Sequence, residues 1–106
     1  MAQSFVHPAL GLRNVARGLS KLTVGLKGKH QVVVMSAVTG AFKAIMILNQ
    51  GAAACPTEAK EVAAYLRRTA RAFDELLGST LSEQAAEMRL GAALVARQLD
   101  VIAART

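Results

Sequence analysis

Between Leu81 and Ile102 the apolar residues fall at intervals of four and three without a break: Leu81, Ala85, Met88, Ala92, Val95, Leu99 and Ile102. A strand would need alternation by two, whereas this spacing puts the whole set on one side of an α-helix, as a heptad seam. A helix with such a seam must be covered by other helices, and the rest of the chain supplies them. Leu12, Val15, Leu19, Leu22 and Leu26 repeat the 3-4 spacing near the N-terminus. Val62, Tyr65, Leu66, Thr69, Phe73, Leu76 and Leu77 share one face of a third segment, and Arg67, Arg68 and Arg71 cluster on its other side. The second segment is the most apolar. Its polar stripe is narrow (Ser36, Thr39, Gly40, Lys43 and Gln50), which predicts a central, buried helix.

Helix punctuation sets the boundaries. Pro8 suits the first helical position, and Gly25, Gly28, Lys27 and Lys29 end the first segment. Gly51 stops the second. Cys55 is placed as N-cap of the third, with Pro56 in its first turn, Glu58 near its positive end and Gly78 as its C-cap. Thr80-Leu81-Ser82-Glu83 reads as a capping box. The sequence therefore predicts an all-α chain of four helices, at about 8–26, 31–49, 56–77 and 80–104. Short connections make consecutive helices antiparallel neighbours, in an up-down bundle or two packed helical hairpins. The expected organisation is a single helical domain over 1–106, with 1–7 as a flexible lead.

Two features go beyond what a simple bundle requires. Gly11, Gly18 and Gly25 recur every seven residues along one flank of the first seam. Each costs roughly 1 kcal/mol against alanine in a helix. The expected return is close packing of another backbone, for which Ala37, Ala41 and Ala44 offer a small-residue stripe. In the fourth segment Leu90, Leu94 and Val101 lie nearly opposite the heptad seam. A bundle buries one stripe per helix, so this second stripe is expected to be a partner or oligomer interface.

The segment Ser82–Gly91 resembles the first half of a helix-turn-helix, with its Arg-Leu-Gly ending. Glu87 stands where that motif needs a small residue, and no new N-cap follows Gly91. The seam also passes through Gly91 in phase, which predicts one continuous helix.

Charge is unevenly distributed. Lysine and arginine number 13 against 7 acids, a net charge of +6, yet residues 1–57 contain no acid. Arg13, Arg17, Lys21, Lys27 and Lys29 are the candidate contacts to an anion or a nucleic acid. Arg71 is spaced to pair with Asp74 and Glu75 on its own helix. Arginine outnumbers lysine in an alanine-rich chain, a composition that fits a GC-rich bacterial or phage genome.

No catalytic constellation is legible. The chain has one cysteine, Cys55, and two separated histidines, His7 and His30, too few for a Cys/His metal cluster. It has no phosphate loop and no recognisable nucleophile context. The few aromatics do not interleave with the basic groups as a stacking platform would. The expectation is a non-enzyme with no cofactor and no metal.

Three functional readings follow. The first is a cytoplasmic interaction or regulatory protein, a homo-oligomer, most simply a homodimer, that binds an acidic protein partner. The second is a small basic nucleic-acid-associated protein contacting phosphates through its acid-free half. The third is a membrane-associated protein using residues 31–54, where Lys43 is the one charge. Lys43 at mid-segment and the polar stripe favour an amphipathic soluble helix over this last reading.

Overall fold

Helix α1 begins at Pro8, whose fixed φ and missing N–H fit a first helical position. The computed structural model describes residues 8–77 and 81–105. The expected lead 1–7, His7, the Gly78 C-cap and Thr80 of the expected capping box lie outside the described residues.

α1 spans Pro8–Leu22, shorter than the apolar spacing implies. A 3-10 turn, Thr23–Gly25, follows it, and Leu26 is extended at φ −102°, ψ 153°. The Thr23 hydroxyl donates to the Ser20 carbonyl at 2.7 Å, the kind of local bond that competes with helix continuation. The Gln31 amide donates to the Thr23 carbonyl at 3.3 Å and ties this turn to the next helix. Helix α2 runs Lys29–Gln50, starting two residues earlier than the sequence suggests. It is bracketed by Gly28 at φ 61°, ψ −132° and Gly51 at φ 56°, ψ −121°. That backbone region is closed to residues with a Cβ, so both chain reversals need glycine.

After a short turn, Gly51–Ala53, helix α3 spans Pro56–Leu77 as expected. The Cys55 carbonyl accepts the Ala59 N–H at 2.9 Å, which makes Cys55 the N-cap. Helix α4, Ser82–Ala103, is unbroken through Gly91. This continuity rules out a helix-turn-helix within it.

The four helices form an all-α bundle. α3 packs on α2 and α4, and α1 packs on α2 and α4, so the ring closes. Neighbours run antiparallel: Asp74 near the end of α3 meets Arg89 in the first half of α4, and Arg67 earlier in α3 meets Asp100 near the end of α4. The shortest dimension, 20 Å, is about two helix diameters.

The seams supply the core. Leu12, Leu19, Leu66, Phe73, Met88 and Leu99 are fully buried. Alanine is the most frequent buried residue, and Ala37, Ala41, Ala44 and Ala59 are completely enclosed. Thr69 is a buried polar residue, and its hydroxyl donates to the Leu66 carbonyl at 3.1 Å.

α2 departs from the expected central position. It is one member of the ring, so one side of it meets solvent. Its inner face carries the small set Ala37, Gly40, Ala41 and Ala44, all buried. Val34, Ile45 and Ile47 are buried beside them, whereas the large Val32, Met35 and Met46 are exposed on the outside. Gly40, assigned to the polar stripe by sequence, faces inward. A Cβ there would stand 3.1 Å from the Thr69 hydroxyl oxygen and 3.2 Å from the Tyr65 ring.

Candidate functional site

The outer side of α4 is one of the surfaces that the closed ring leaves uncovered. Leu90, Leu94 and Val101 recur at spacings of four and seven, which confines them to an arc of about 40°. The α4 seam fixes the opposite arc in the core, from Ala85 through Met88 and Val95 to Ile102. Leu90 is therefore 48% exposed and Val101 64% exposed, while Leu94 is half-buried. Arg89 and Asp100 of this helix are paired with α3, and its remaining charges are polarised along its length. Glu83 and Glu87 lie toward its N-terminus, and Arg97 and Arg105 lie toward and beyond its C-terminus.

Beside this face, a groove of about 380 Å³ runs between α1 and α4, lined by Asn14, Gly18, Leu22, Glu83, Gln84 and Glu87. The expectation of close packing at the spaced glycines fails at Gly18 and Gly25. A Cβ at Gly18 or at Gly25 would meet nothing within 4 Å, so neither glycine admits a close backbone within the chain. Gly11 is buried in α1. A close approach within the chain occurs at Gly40. The signal for it was present in the sequence: Ala37, Gly40, Ala41 and Ala44 are spaced i, i+3, i+4 and i+7, one face of one helix.

The five basic candidates are all at the surface. Arg13, Arg17 and Lys21 line one side of α1, and Lys27 and Lys29 occupy the connection and the first residue of α2. None takes part in the ion pairs found among the described residues, both of which join α3 to α4.

Those ion pairs also correct the helix-internal pairing expected of Arg71. Asp74 is engaged by Arg89 of α4 at 3.3 Å. Asp100 takes Arg67 through two contacts, Nη2 to Oδ2 at 2.6 Å and Nη1 to Oδ1 at 3.2 Å. The hydrogen bond from Arg67 holds the Asp100 carboxyl below its ordinary pKa, and the same bond raises Arg67.

Tyr65, half-buried above Gly40, has Lys43 Nζ 5.4 Å and the Arg68 guanidinium 5.6 Å from its ring centroid. Both distances are within cation–π range. His30 and Cys55 are exposed and far apart in the sequence, and the described residues contain no group of three His, Cys, Asp or Glu side chains able to hold a metal.

The helix spanning the expected membrane segment is long and apolar enough to cross a bilayer by length and composition, with a window of mean hydropathy 1.8. Only 33% of that window is buried. The exposed Val32, Met35 and Met46 account for part of the remainder.

The chain matches no protein-family model, no curated protein and no solved structure.

Proposed function

We propose that the protein is a small, non-enzymatic interaction module of the cytoplasm that works as a homodimer through the outer face of α4. The observation that carries this reading is the exposure of Leu90 and Val101, with Leu94 between them, on a helix whose opposite face already fills the core. Exposed large apolar residues in register on one helix are a favourable docking stripe. A second copy is the occupant because the stripe complements itself. Two α4 helices related by a two-fold axis perpendicular to them run antiparallel, which sets Leu90 of one against Val101 of the other. The same arrangement brings the acidic end, with Glu87, beside the end that carries Arg105. The groove lined by Glu83 and Glu87 borders this contact.

In this reading the exposed bases Arg13, Arg17, Lys21, Lys27 and Lys29 stay outside the dimer contact and face an acidic protein partner. The test is light scattering on a sizing column across a concentration series. The expected species has twice the 11.1 kDa chain mass. Leu90→Glu and Val101→Glu should each give a monomer with unchanged helicity. A dimer that survives both substitutions would overturn the assignment.

A second reading rests on the same five bases, which no acid neutralises in the first half of the chain. In it they contact nucleic-acid phosphates. That reading requires affinity that falls steeply with salt, with a log–log slope of roughly −0.9 per duplex phosphate neutralised. Binding that ignores salt would exclude it. The exposed apolar side of α2 favours a third reading, association with a membrane, which requires the protein to pellet with vesicles.

A further inference from the structure

The groove between α3 and α4 collects arginine from both helices. Arg67, Arg71, Arg89 and Arg97 line it, with Asp74, over a floor of Ala70, Ala92 and Ala93, and its volume is about 410 Å³. The two carboxylates at its margins are already engaged. Asp100 holds Arg67 toward one end of the groove, and Asp74 holds Arg89 toward the other. Arg71 from α3 and Arg97 from α4 lie between these pairs and make no salt bridge among the described residues. Four guanidiniums against two carboxylates leave an excess of two positive charges at the middle of the groove.

From this arrangement we propose that the groove binds a small phosphate monoester, with the phosphate held by Arg71 and Arg97 and the ester's organic part lying on the alanine floor. Charge and geometry select this class of ligand. A phosphate monoester carries nearly two negative charges at neutral pH, which matches the excess. It offers three terminal oxygens, so two guanidinium forks can hold it by sharing one of them. A carboxylate carries one charge, half of the excess. A phosphodiester carries one charge and two free oxygens, so it falls short on both counts. The flanking ion pairs fix the outer arginines and line the groove walls, so the two central side chains are left to order around the ligand. The volume lies within the range of small-ligand pockets. Arg97 stands between Leu94 and Val101 along α4, so the groove borders the proposed dimer face.

The experiment is a nitrogen-15 NMR titration of the full chain that follows the backbone amides and the arginine Nε–H signals. The probes are adenosine 5′-monophosphate, inorganic phosphate, adenosine and a short single-stranded oligonucleotide with 5′ and 3′ hydroxyl ends. The expected result is saturable binding of adenosine 5′-monophosphate, with shifts centred on Arg71, Arg97, Ala92 and Ala93. Inorganic phosphate should bind the same residues more weakly, and adenosine should not bind. Arg71→Gln and Arg97→Gln are surface changes that should leave the spectrum of the free protein folded. Each should raise the Kd at least about tenfold, the loss expected for one charge-assisted contact. Arg13→Gln should leave the Kd unchanged. Shifts that follow Arg13, Arg17 and Lys21 instead would overturn the proposal. So would equal affinity for adenosine, tighter binding of the oligonucleotide than of the monophosphate, or an affinity indifferent to both arginine substitutions.

Discussion

Arg67 and Asp100 stand 33 positions apart and meet head-on across α3 and α4, each nitrogen of the guanidinium fork on its own carboxylate oxygen at 3.2 and 2.6 Å. Both side chains are about half exposed, so solvent screens the pair and its net worth is set by geometry. A double-mutant cycle with Arg67→Gln and Asp100→Asn should return a coupling of about 0.5–1 kcal/mol, decreasing as salt is added. The sign of the pH effect follows from the shifts. The Asp100 carboxyl is held below its ordinary pKa by the Arg67 hydrogen bond, so its contribution is complete above the unfolded-state value. It is lost as pH falls through the lowered folded-state value. The raised Arg67 would lose its share only at strongly alkaline pH. Urea melts of the wild type and Asp100→Asn should therefore converge in acid, separate as pH rises through the carboxylate range, and differ by a constant amount above about pH 5.

Gly18 and Gly40 make opposite predictions from the same substitution. A Cβ at Gly18 meets open space, so Gly18→Ala should stabilise the chain by about 1 kcal/mol through helix propensity alone. At Gly40 the new methyl meets Thr69 at 3.1 Å and the Tyr65 ring at 3.2 and 3.3 Å. The half-buried tyrosine can swing aside, but Thr69 is buried and held by its bond to Leu66. Overpacking of roughly 1–3 kcal/mol outweighs the propensity gain, so Gly40→Ala should lower Tm. A rise in Tm at Gly40 would show that the α2–α3 contact yields.

Phe73 and Leu76 share a face by sequence and differ in the fold. Phe73 is fully buried and Leu76 is 39% exposed. Phe73→Ala should cost about 3–5 kcal/mol, most of the stability of a domain this size. Leu76→Ala should stay near 0.5 kcal/mol. Denaturant midpoints for the two variants measure the contrast directly.

Helix type and number were readable because each seam has a 3.6-residue period that no strand can use. The α4 seam from Ala85 to Ile102 is buried as its spacing requires, and Pro56 and Leu77 mark the ends of α3 as the punctuation predicts. The α1 boundary was not readable. The spacing from Leu22 to Leu26 keeps heptad phase, but the Thr23 hydroxyl bond and the Gly28 reversal are local competitors invisible to periodicity. In α2 the polar residues Thr39, Lys43 and Gln50 face solvent, as the polar stripe implies. What the stripe does not show is that the large Val32, Met35 and Met46 share the exposed side, while the small Gly40 joins Ala37, Ala41, Ala44, Val34, Ile45 and Ile47 on the buried one. The groove of Arg71 and Arg97 joins residues 26 positions apart on two helices. Sequence showed each arginine, and only the antiparallel register of α3 and α4 places them together.

The alanine-rich core has a calorimetric consequence. An enclosed alanine such as Ala37 or Ala59 removes little hydrocarbon from water and has no χ angle to freeze. The heat capacity of unfolding grows with the apolar area exposed, at about 12–15 cal/mol/K per residue for ordinary domains. This chain should fall below that range. Its stability curve is then shallow, with a low summit and wide shoulders, so the bundle resists cooling and moderate heating about equally and melts over a broad span of temperature.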